Sequence, residues 1–172
     1  AYVGSCPVRV GDIVSFPTWQ MHSLQHGVRV IEFQTPHYER MIVMFGQKAL
    51  TQDHWNTEEA LAGMKPEVYH PPQPELIWQQ DGVRCERVVD FPDFDAFRLF
   101  VPVGQRIKLE GKGNYQLLMG VQGYGQVLVG GESCGTVRHE EGWMIPAVTD
   151  DCWLESRGTG DLICLQAIPK SS

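Results

Sequence analysis

Tyr115-Gln-Leu-Leu-Met-Gly-Val121 and Gln126-Val-Leu-Val129 flank Gly123-Tyr124-Gly125, and Gly130-Gly131 closes the second run. Two short apolar runs bounded by glycine read as β-strands joined by tight turns. The same rhythm extends upstream through Arg84–Val89, Phe97–Val101 and Gln105–Leu109. Downstream it continues through Gly135–Arg138, Gly142–Ile145, Cys152–Ser156 and Leu162–Ala167. Gly111-Lys112-Gly113 and Gly158-Thr159-Gly160 add further turn signals. Turns recurring every roughly 8–12 residues, with no βαβ alternation, predict an all-β sandwich or jelly roll over 83–172.

The preceding stretch has a different texture. Asn56-Thr57-Glu58-Glu59 offers an N-cap with acidic residues in the first turn. Ala60, Leu61 and Met64 form an apolar stripe and Pro66 stops it, which predicts a short helix near 57–63. With Pro66, Pro71, Pro72 and Pro74 following, residues 48–82 read as a helix and proline-rich connector. Before it, Asp12–Phe16, Val28–Gln34 and Met41–Phe45 have strand character. Period-two alternation places Val28, Val30 and Glu32 on one face.

Composition narrows the classes. A chain of 172 residues with 42% apolar and 20% charged residues is globular, and no apolar run approaches a membrane span. A net charge of −7 opposes nucleic acid and anionic lipid, so an anionic substrate needs a local basic pocket. Ala1–Val10 lacks the basic flank and apolar core of a signal peptide. The five cysteines form no CxxC pair, which predicts reduced, mostly buried thiols and a cytoplasmic protein.

Three short motifs fail in context. Gly131-Glu-Ser133-Cys-Gly135 fits a nucleophile elbow, but strand-like Thr136-Val137-Arg138 stands where that motif needs a helix. His139-Glu140-Glu141 lacks the second histidine of a zincin. Asp93-x-Asp95 and Asp150-Asp151 lack a calcium-loop pattern and read as solvated turns.

One constellation survives: Gly11-Asp-Ile-Val-Ser-Phe-Pro17-Thr-Trp19-Gln-Met-His22-Ser-Leu-Gln-His26-Gly27. It resembles the second cupin motif, G-x5-P-x-G-x2-H-x3-N, at Gly11, Pro17 and His22. It departs at Trp19, where glycine is usual, and at His26, where asparagine is usual. Glu32-Phe33-Gln34 and Arg40 follow, and with His22-Ser23-Leu24-x-x-Gly27 they resemble the corresponding segment of type I mannose-6-phosphate isomerases. Residues 8–60 carry this resemblance best.

The resemblance implies cupin-like jelly rolls with a short connecting helix. Residues 1–47 would be the C-terminal strands of a first cupin barrel carrying His22, and 83–172 a second jelly roll without metal ligands. It further implies aldose–ketose isomerisation of a sugar phosphate, with zinc or another divalent metal on His22 and Glu32 and Arg40 in the cleft. Glu32 would serve as the base or orient it; Arg40 would hold the oxyanion or phosphate. Glu32 and Arg40 pairing with each other is the plainer alternative, and Lys48 reads as a solvated charge. The first cupin motif has no counterpart before Gly11, so the other ligands are expected outside this chain, from an N-terminal half or a second chain. The rival readings are a non-catalytic sugar-binding or regulatory cupin, with Trp19, Trp55, Trp143 and Trp153 as stacking candidates, and a structural half that completes a cleft.

Overall fold

The computed structural model describes residues 4–35, 41, 57–67, 70–111 and 113–171. The chain divides into two compact units, Ala1–Pro71 and Pro72–Ser172.

In the first unit the expected helix forms as α1, Thr57–Gly63, with Glu58 and Glu59 in its first turn and Ala60 buried. The expected strands differ. Residues 12–16 and 28–34 are not in strands, and Met41–Phe45 lies outside the described residues except for Met41. A strand is defined by its ladder, and residues 4–35 offer no second strand to supply one. Val28 and Val30 are exposed. Gly11 and Gly27 do turn the chain, with φ of 93° and 86°.

Among the described residues the second unit has ten strands. β1 is Glu75–Gln80, β2 Val83–Asp90, β3 Phe94–Val101, β4 Arg106–Lys108 and β5 Gln116–Gln122. β6 is Tyr124–Val129, β7 Glu132–Arg138, β8 Gly142–Ile145, β9 Cys152–Ser156 and β10 Leu162–Pro169. Antiparallel pairing gives a six-stranded sheet, β1-β2-β3-β10-β5-β8, and a four-stranded sheet, β4-β9-β6-β7. β8 and β9 have the bounds read from sequence; most others extend by a few residues. The Ser133 stretch lies in the β6–β7 hairpin and its continuation, which removes the nucleophile elbow.

β1 corrects the expected connector, because residues 75–80 are a strand. Asp81 and Gly82 both have positive φ, 50° and 82°, the conformation of a two-residue hairpin. That Asp-Gly pair closes β1 onto β2, with Gln80 opposite Val83. The prolines at 71, 72 and 74 end just before the ladder starts, so they leave it intact.

The core follows from strand alternation. Cys85, Leu99 and Cys164 occupy matched positions on β2, β3 and β10 and are all buried. Ile107, Leu154 and Val127 do the same on β4, β9 and β6. Burial pushes the Cys164 thiol up to about 12 and raises that of Cys152, so neither is a thiolate near neutrality. None of the five cysteines is in a disulfide.

An ion-pair network ties β1 to the ends of β2, β3 and β10. Arg87 meets Glu75 at 2.6 Å and Asp90 at 3.2 Å, and Lys170 bridges Asp90 and Asp95. The Lys170 hydrogen bond, then the charges of Arg87 and Lys170, hold the Asp90 carboxyl below its usual 3.8. A carboxylate depressed in the fold adds stability above its unfolded value and loses it as pH falls through the folded one. Wild-type stability is therefore expected to fall below about pH 4 with a contribution from Asp90. Urea midpoints across pH 2–7 should show Asp90→Asn with a shallower acid limb; parallel limbs would remove Asp90 from the acid transition.

Candidate functional site

The sequence singled out His22, and its setting is built by a turn. Pro17 O accepts the Gln20 amide at 3.1 Å, and Trp19 sits at φ 70°. A positive φ at the third position of a four-residue turn is the place where glycine is favoured. The glycine-to-tryptophan departure thus keeps the backbone turn while changing the side chain. The Trp19 indole occupies the space over Gly63, where a Cβ would overlap it, and Trp19 O accepts the Lys65 amide at 3.0 Å. Both partners lie at the C-terminal end of α1.

Beyond the turn, the His22 ring stacks on Phe16 with centroids 4.0 Å apart and planes 6° from parallel. Its Nδ1 stands 3.0 Å from Gln20 O, a bond that requires Nδ1 to carry the proton. In the neutral ring Nε2 is then the lone-pair nitrogen, the tautomer that a metal-binding imidazole uses. His22 is exposed rather than pointing into a barrel, and His26 is exposed as well. Glu32 is exposed and makes no hydrogen bond or ion pair among the described residues. Arg40, Lys48 and Trp55 lie outside the described residues.

A metal centre needs three or four protein ligands. Among the described residues no group of three His, Cys, Asp or Glu side chains could hold a metal ion. His22 alone therefore does not fit a metal centre.

Sequence reasoning missed a second feature. The β4–β5 and β8–β9 loops frame a notch of about 200 Å³ at one end of the second unit. Lys108, Glu110, Gln116, Thr149, Asp150 and Asp151 line it. Gln116 is 2% exposed, accepts a hydrogen bond from Gln166 and donates a long one of 3.4 Å to Leu109 O. Asp151 Oδ1 accepts the Trp153 indole N–H at 2.8 Å, and the Arg106 guanidinium lies 4.4 Å over that ring. Three carboxylates against one ammonium make the notch a poor host for phosphate and a fair one for hydroxyl groups. The missed signal was Gln116 itself, in phase with inward-facing Leu118 and Gly120. Asp150 and Asp151, read as solvated turns, belong to this notch.

Trp143 and Trp153 differ in role. Trp143 donates to Thr136 O at 2.9 Å, packs against the core and lies over Gly135, so it is structural.

No family model matches the chain, and no curated protein does. Solved structures match by shape. Mannose 6-phosphate isomerase from Bacillus subtilis aligns at 11% identity with a TM-score of 0.54, over 66% of this chain and 34% of that one. A cupin 2 conserved barrel domain protein from Salinispora arenicola aligns at 12% identity and TM-score 0.44, over 51% of this chain and 76% of that one. An RmlC-like cupin with a double-stranded β-helix fold from Methanocaldococcus jannaschii aligns at 11% and 0.45, over 55% and 87%. At these identities the likeness concerns fold alone. With two antiparallel sheets that share one core, the second unit has a jelly-roll fold of the cupin type, the shape it shares with the Bacillus subtilis structure.

Proposed function

We propose that this chain is the C-terminal portion of a sugar-phosphate aldose–ketose isomerase of the mannose-6-phosphate isomerase type. The observation that carries the reading is the Pro17–Gln20 turn, which keeps a glycine-type backbone at Trp19 and holds His22 Nδ1 against Gln20 O, leaving Nε2 as the ring nitrogen open to a metal. The shape similarity to the Bacillus subtilis isomerase, over about a third of that enzyme, supports it. The sequence resemblance assigns Glu32 to proton movement between the two carbons and Arg40 to the developing oxyanion or the phosphate. The remaining metal ligands, for zinc or another divalent ion, would come from an N-terminal half or a second chain. The substrates would be mannose and fructose 6-phosphates, and the compartment the cytoplasm. No helix among the described residues is long and apolar enough to cross a membrane.

Two measurements test this reading. The 172-residue chain alone should bind zinc weakly, because one histidine and one carboxylate fall short of a site; tight stoichiometric zinc would show ligands that this reading lacks. In the complete, metal-loaded protein, Arg40→Ala should lower kcat/KM by about 10²-fold or more if Arg40 meets transition-state charge. Unchanged kinetics in a folded Arg40→Ala variant would remove that residue from the mechanism. Absence of isomerase activity in the metal-loaded complete protein would reject the proposal.

The notch favours a second reading, a non-catalytic sugar-binding cupin. Its carboxylates, threonine hydroxyl and buried amide suit the hydroxyls of a neutral sugar. Calorimetric titration with mannose and mannose 6-phosphate separates the two readings. Preference for the neutral sugar, lost in Asp150→Ala, would favour binding through the notch; no heat with either would reject it.

A further inference from the structure

We draw no further inference here: the strongest candidate, the exposed apolar edge of the six-stranded sheet at Leu76, Ile77 and Trp78, carries none because nothing in the structure shows what covers it.

Discussion

Gly120→Ala is expected to cost at least about 3 kcal/mol of folding stability, the upper end of what overpacking does. Gly120 lies in the middle of β5, where the link from β7 to β8 folds against it. Its amide donates to Glu141 O at 3.0 Å and its carbonyl accepts the Glu140 amide at 2.8 Å. A Cβ at this position would overlap the Arg138 carbonyl oxygen and crowd Val137 Cγ1. The obstacle is backbone already committed to hydrogen bonds, so rotamer changes cannot relieve it. Gly130→Ala is the matched control. Gly130 has φ of 59° with open space around a Cβ, so alanine there meets only left-handed strain, of order 1 kcal/mol. Urea unfolding should rank Gly120→Ala far below Gly130→Ala, with failure to fold as the extreme of the same outcome. A wild-type midpoint for Gly120→Ala would show that the sheet yields at this point.

Leu154→Ala is expected to destabilise by about 2–5 kcal/mol, with an unchanged urea m-value. Leu154 is fully buried at the centre of β9, between Ile107 on β4 and Val127 on β6. Removing its isobutyl group loses transfer free energy and leaves a cavity. Strands hydrogen-bonded on both sides of β9 cannot collapse far into that space. Leu117→Ala, on β5 but 37% exposed, should cost well under half as much. Equal losses at the two sites would mean that the interior between the sheets is not the dominant source of stability.

How much of the fold was legible depended on whether the signal was local. The ladder from β2 to β10 was readable because its turns carry their own chemistry. Gly123, Gly130 and Gly131 all adopt the positive φ that their identity permits. Inward residues alternate through Phe97, Leu99 and Val101 on β3 and through Cys152, Leu154 and Ser156 on β9, and the core follows from it. β1 carried its signal as well, in Asp81-Gly82 and the Leu76-Ile77-Trp78 run, but the nearby prolines suggested a connector. Proline disrupts a ladder only where its missing N–H is needed, and these prolines precede the first pair. The first unit failed in the opposite direction. Val28–Gln34 has the alternation of a strand, but alternation states only which way side chains point, and pairing needs a neighbour.

The candidate site divides along the same line. By itself the sequence determined the all-β class, the short helix α1, most strand positions and the Gly11, Pro17, His22 spacing, because propensity, period and turn chemistry act over a few residues. Only the tertiary structure decided three further matters. Trp19 adopts a glycine-like backbone with its indole held over Gly63. The His22 ring is set by Phe16, against which it stacks, and by the Gln20 carbonyl that faces its Nδ1. Lys108, Glu110, Gln116 and Asp150 meet at one notch because separate loops of the second unit converge there. The Trp19–Gly63 contact and the notch join residues whose separation along the chain carries no fixed period, so no local pattern in the sequence encodes them.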